Sequence, residues 1–249
     1  MSSSAIPGIL GSEQFVQGAA RWLEVIESPD STTLRQAFEL PPQAGGPAGS
    51  TRLQALYFMV KQLVHLVSTI GTAQIKASFV VLPAAGGTPR FSVVLSASND
   101  LGARESSYYL AADYQLPTGD ADQPGPADQP AALALGATPG VLARTWRRLW
   151  QQEGPLTLAL FASAYGYLRG YTFAASDFVA LLAGVQTDDQ GSLVLHFGLH
   201  EYYRPDPVAG DVLAHTFGLV LQLRNALKDQ VGGGSDPYYD MAAPCPPSC

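Results

Sequence analysis

From Gln74 to Leu116 apolar and polar residues take turns along the chain. Ile75, Ala77, Phe79 and Val81 alternate with Gln74, Lys76 and Ser78. Phe91, Val93, Leu95 and Ala97 alternate with Arg90, Ser92 and Ser96, and Tyr108, Leu110, Ala112, Tyr114 and Leu116 continue the pattern. A period of two with one apolar side marks a half-buried strand. The glycine- and proline-bearing stretches after Pro83 and Ser98 supply the turns, so three strands of an antiparallel meander are predicted.

The flanking segments change period. Ser12 to Glu27 places Phe15, Ala19, Leu23 and Ile26 at helical spacing, with Ser12 as N-cap and Ser28-Pro29-Asp30 as the stop. A helical turn follows at Thr33 to Leu40. A second helix is predicted from the cap Ser50 to Gly71, with Leu53, Leu56, Tyr57, Val60, Leu63, Val64 and Val67 on one face. Beyond the meander, helices are predicted at Val141–Gln152, Pro155–Leu168 and Ala174–Ala183. Ser192 to Tyr203 returns to alternation and reads as a strand.

Asp211 to Gln230 fits both periods. Leu213, Phe217, Leu219, Leu221 and Leu223 suit a strand, whereas Asp211 as N-cap, Arg224 and Lys228 late in the segment, and Gly232 past its end suit a helix. The end signals favour the helix. In the strand alternative, one hairpin register sets Leu193, Leu195, Phe197 and Leu199 opposite Leu223, Leu221, Leu219 and Phe217, and puts Glu201 opposite His215. The expected fold is therefore α+β: an antiparallel sheet of three to four strands, covered mainly on one face by helices. It forms a single domain over 1–231, with a sub-boundary available in the Pro- and Asp-rich loop 117–140, and a flexible C-terminal tail over 232–249.

That tail is the strongest chemical lead. It runs Gly232-Gly-Gly-Ser-Asp-Pro-Tyr-Tyr-Asp-Met-Ala-Ala-Pro-Cys-Pro-Pro-Ser-Cys249 and holds both cysteines of the 249 residues. Glycines hinge it and prolines exclude helix and central strand. Gly233 and Gly234 are candidate processing positions, and Tyr238, Tyr239, Cys245 and Cys249 candidate recognition or modification sites. The two thiols also admit a disulfide, or half of a soft-metal shell completed by a second chain.

Composition narrows the partners. A net charge of −7 disfavours phosphate-backbone binding and docking on anionic lipid. No stretch reaches the ~18 apolar residues of a membrane span, and the start lacks the basic, then apolar pattern of a signal peptide, so a cytoplasmic location is expected. Charged residues make up only 14%, alongside 25 Gly and 19 Pro. Small uncharged surfaces suit a protein partner or self-association. Arg144-Thr-Trp-Arg-Arg-Leu-Trp150 interleaves basic and aromatic residues; Trp146, Arg147 and Trp150 read either as a core-anchored amphipathic helix or as a partner-binding face.

Enzyme signatures are sparse. No nucleophile elbow, phosphate loop or dinucleotide fingerprint occurs, and no motif names a cofactor. On a strand His196 and His200 stand ~13 Å apart, too far to share one ion. A Glu201–His215 pair, with His200 nearby, is the one acid–base arrangement the spacing offers. Gly170-Tyr-Thr-Phe-Ala-Ala-Ser-Asp-Phe-Val-Ala-Leu-Leu-Ala-Gly resembles the helix start in leader peptides of the nitrogen-fixation-associated type. In those, a glycine cleavage site and a cysteine-bearing core peptide follow. The likeness stops at Gly184, and this chain places a long insertion before Gly232.

Three readings result. The first is a non-enzymatic binding or assembly protein presenting its tail to a partner, protease or modifying enzyme. The second is a precursor whose core peptide follows the glycines. The third is an enzyme using Glu201 with His200 or His215.

Overall fold

The computed structural model describes residues 8–28, 30–40, 51–83, 88–113, 137–163, 166–183, 191–206, 210–225, 238–239 and 243–244. In chain order the main elements are α1 (Ser12–Glu27), α2 (Ser31–Ala37), β1 (Ala55–Met59), α3 (Val60–Val67), β2 (Gln74–Pro83), β3 (Pro89–Ser98) and β4 (Tyr108–Leu110). They continue with α4 (Gly140–Gln152), β5 (Gly170–Ala174), α5 (Ala175–Ala183), β6 (Gly191–Asp206) and β7 (Gly210–Asn225).

The fold is α+β with antiparallel sheets. The meander is present: β2 pairs β3 from Gln74↔Ser98 to Pro83↔Pro89, and β3 pairs β4. It is the centre of a six-stranded sheet in the order Ile9–Leu10, β4, β3, β2, β5, Ala243–Pro244. A second six-stranded sheet runs Ala112–Asp113, β1, β6, β7, Tyr238–Tyr239, Ala137–Thr138. The strands thus divide between two sheets whose inner faces cover each other. Phe79, Phe91 and Val93 from one sheet meet Phe197, Phe217 and Leu219 from the other in one core. The Phe91 and Phe197 rings lie 5.6 Å apart edge to face, and the Tyr171 hydroxyl on β5 donates to the Phe217 carbonyl.

Each long helix passes from an outer sheet face into this core. On α1, Phe15 and Ala19 pack with Val80, Leu82 and Tyr108 outside the first sheet, while Trp22, Val25 and Ile26 enter the core. On α4, Ala143 and Trp146 pack with Val220 outside the second sheet, while Trp150 enters. Both indoles donate to a carbonyl of a non-strand segment, Trp22 to Leu168 at 2.8 Å and Trp150 to Leu53 at 2.9 Å. A buried indole keeps its N–H satisfied in this way.

Three expectations need correction. Segment 211–230 is not a helix in its described part: Gly210–Asn225 is a strand. Its cap-like residues are overridden by a hairpin with β6 that buries Phe217, Leu219 and Leu221 on one face. The single helix from Ser50 to Gly71 is strand β1 followed by the short α3. Pairing with β6 claims Ala55–Met59, and Met59 then caps the helix, its backbone N–H donating to Gln62. Pro155–Leu168 is a 3-10 turn at Leu158–Phe161 followed by the short pair Ala162–Ser163 and Gly166–Tyr167. Most of the 117–140 loop, and Gly233, Gly234, Cys245 and Cys249, lie outside the described residues.

Candidate functional site

The hairpin of β6 and β7 carries three of the chain's four histidines. Its register runs from Gly191↔Asn225 to Asp206↔Gly210 and is the one derived from the leucine pattern, with Leu193 opposite Leu223 and Glu201 opposite His215. One face carries Leu195, Phe197, Leu199, Phe217, Leu219 and Leu221 into the core. Alternation sends Val194, His196, Gly198 and His200, with Gly218, Val220 and Gln222, to the other face, where α4 lies.

Two histidines are enclosed under α4. His196 is buried, and its Nε2 lies 2.8 Å from Gln222 Oε1 on the adjacent strand. Burial, with smaller contributions from the Arg147 and Arg224 charges, lowers its pKa to about 3 against the opposing Gln222 hydrogen bond. His200 stacks on Trp146 with ring centroids 4.1 Å apart, and burial lowers its pKa to about 4. A pair of glycines makes the room. Gly198 and Gly218 are directly opposed. A Cβ on Gly218 would come within 2.5 Å of His200 Nε2, and one on Gly198 within 3.0 Å of Trp146 Cβ. Both imidazoles are neutral at pH 7.

His215 has a different setting. It lies on the core-facing side just past Phe217, at the mouth of the sandwich. Its Nε2 is 3.7 Å from Glu201 Oε1 and its Nδ1 is 3.9 Å from Glu153 Oε2. The Glu201 side chain keeps 42% of its exposure and the other two under a third. Both separations exceed hydrogen-bond length, so the trio makes charge contacts when His215 is protonated, with no preformed proton relay. Arg52 closes the group from behind: its guanidinium donates to the Trp150 carbonyl at 2.8 Å and the Gly154 carbonyl at 2.6 Å, and it feels the charge of Glu153. Among the described residues no group of three His, Cys, Asp or Glu side chains could hold a metal. The carboxylates flank opposite edges of one imidazole and do not converge on a point.

No protein-family model, curated protein or solved structure matches this chain.

The other sequence candidates fall in two places. Trp150 is fully buried in the aromatic core, and Arg52 lies 5.2 Å from its ring centroid. Trp146 and Arg147 are half-buried, and Trp146 stacks on His200 of β6. Tyr238–Tyr239 pairs through its backbone with Gln222 and Leu221 on β7, and on its far side with Thr138 and Ala137. Ala243–Pro244 pairs with Thr172 and Tyr171 on β5. The described parts of the C-terminal stretch are thus added strands on both sheets. Spacing missed Glu153, since only the passage of α4 across the second sheet brings it to His215. No helix among the described residues is long and apolar enough to cross a membrane.

Proposed function

We propose that the protein is a non-enzymatic binding or assembly protein whose C-terminal segment is a ligand for a partner, a protease or a modifying enzyme. The observation that carries this reading is the seating of Tyr238–Tyr239 on β7 and of Ala243–Pro244 on β5. Ala243–Pro244 is the outermost strand of its sheet, and strand addition at a sheet edge is a general mode of peptide recognition, with main-chain hydrogen bonds giving affinity and side chains giving specificity. Two-residue pairings are brief, so the segment can leave its seats at small cost beside the large core. Released, it would free the backbones of Tyr238–Tyr239 and Ala243–Pro244 for a partner. The acidic, proline-rich character of 232–249 suits a peptide that is handed over.

The test uses the chain ended after Val231 and a labelled synthetic peptide of residues 232–249. The shortened chain should melt cooperatively and bind the peptide saturably, and unlabelled peptide should compete. A shortened chain that folds but ignores the peptide would refute the seat. Mass spectrometry of the protein from its native host separates the precursor reading: a chain cut after the glycines, or altered at Cys or Tyr, would favour a precursor, and an intact unmodified segment would remove it.

A further inference from the structure

The hairpin of β6 and β7 outruns its neighbours. The last β1 partner on β6 is His196, followed by one bond from the Phe197 N–H to the Gln54 carbonyl. Among the described residues, the added strand Tyr238–Tyr239 takes only Leu221 and Gln222 on β7. Past Leu199 and Phe217 the two strands continue as a ribbon, and from Glu201 to Pro205 and Gly210 to Leu213 every residue is exposed. A two-stranded ribbon alone is marginal in water, and open edges invite pairing. Natural edges are usually guarded by Lys, Pro or other charges. The β6 edge has Glu201, Arg204 and Pro205, whereas Val212 to Val220 contains no Lys, Arg, Asp, Glu or Pro.

We infer that a second copy of this chain docks on the β7 edge, pairing Gly210–Thr216 antiparallel with its own counterpart around a two-fold axis at Leu213. The axis stands perpendicular to the sheet, so each face stays on its own side and only registers pairing odd with odd and even with even are allowed. Centring on Leu213 sets Leu213 opposite the copy's Leu213, and Val212 opposite the copy's Ala214. Asp211 then faces the copy's His215, placing an imidazole beside a carboxylate at each end. Tyr203 pairs with Leu213 in the hairpin, so one face gains a row of Tyr203, Leu213, the copy's Leu213 and the copy's Tyr203. Tyr203 and Leu213 are 71% and 49% exposed in the single chain. Two ribbons become one four-stranded sheet.

This inference deepens the assembly reading by naming the partner, and it uses a surface separate from the C-terminal seat. The test uses the full chain with Cys245 and Cys249 changed to Ser. Sedimentation should show a dimer at rising concentration. Leu213→Lys, at an exposed position, should leave the circular dichroism unchanged and abolish the dimer. Leu213→Cys should oxidise to a disulfide-linked dimer, because directly opposed Cβ atoms lie within disulfide reach. Val212→Cys, displaced from its own copy, should cross-link far less. A strict monomer, or a dimer that survives Leu213→Lys, overturns the inference. A dimer held by the C-terminal segment would behave in the latter way and be lost on ending the chain after Val231.

Discussion

Lowering the pH from 7 to 5 should strip this fold of much of its stability through two histidines. The folded pKa values of His196 and His200, about 3 and about 4, lie below the ordinary 6.5 because burial penalises the imidazolium. The unfolded chain therefore takes up protons first as pH falls, and stability present above pH 6.5 is lost on acidification. At pH 5 the unfolded imidazole is already 1.5 units below its pKa while the buried ones remain neutral, so each contributes a loss of about 2 kcal/mol, and together about 4. Because both folded values lie below 5, this figure is insensitive to how deep the shifts go. Set against a net stability on the order of 5–15 kcal/mol, such a loss is large.

Urea unfolding followed by tryptophan fluorescence at half-unit steps from pH 7 to 5 measures it. Near the acid end the free energy should fall by about 2.7 kcal/mol per pH unit, two protons' worth. His200→Phe keeps an aromatic ring against Trp146 without a titrating group, and should cut that slope to about 1.4 kcal/mol per unit. A total loss under about 1 kcal/mol by pH 5, or an unchanged slope in His200→Phe, would refute the enclosure of these rings.

Three substitutions test the surroundings. Gly218→Val drives a side chain into His200 and should cost about 1–3 kcal/mol in urea titrations, with a change in the near-ultraviolet dichroism of Trp146 as the stack opens. Trp150→Phe removes the N–H donated to the Leu53 carbonyl, and a loss of about 1–3 kcal/mol should appear as a lowered melting temperature. Arg52→Leu leaves the Trp150 and Gly154 carbonyls without their guanidinium donor. Hydrogen exchange at the end of α4 should then speed up while amides in β2 and β3 keep their protection.

Part of the architecture was legible because some strand segments keep one face only half-buried. Along β2 the alternation of Gln74, Lys76 and Ser78 with Ile75, Ala77 and Phe79 maps onto half-buried and buried positions, so the period speaks plainly. In β7 the outer face is also covered: Val220, packed against Ala143 of α4, and Gln222 are buried, as Leu219 and Leu221 are in the core. Two apolar faces blur a period of two into something a helix can also satisfy. The same holds for β1, where Ala55, Leu56 and Phe58 are all buried. The hairpin register needed only the odd-numbered leucines, which is why the Glu201–His215 contact could be derived while Glu153 could not. Its approach depends on where Trp150 enters the core, and no local pattern encodes that.

Support for β6 and β7 stops at a definable level. At Phe197 and Leu219 the core face is packed by Phe38, Phe91 and Trp150. At Leu199 and Phe217 it is still fully buried. One pair further, Glu201 and His215 form a polar rim, and beyond them Tyr203 and Leu213 repeat the apolar pairing with nothing of this chain over them among the described residues. A ribbon ending for structural reasons alone would turn at the rim or become polar there. Here the strands run on past the rim to the turn at Gly210, and the core side of the pattern resumes with a tyrosine and a leucine. The rim also argues for the direction of assembly: a partner covering Tyr203 and Leu213 brings its own rim against Glu201, His215 and Asp211, and because Tyr203 and Leu213 supply the apolar cover, self-association should strengthen in a kosmotropic salt such as sulfate.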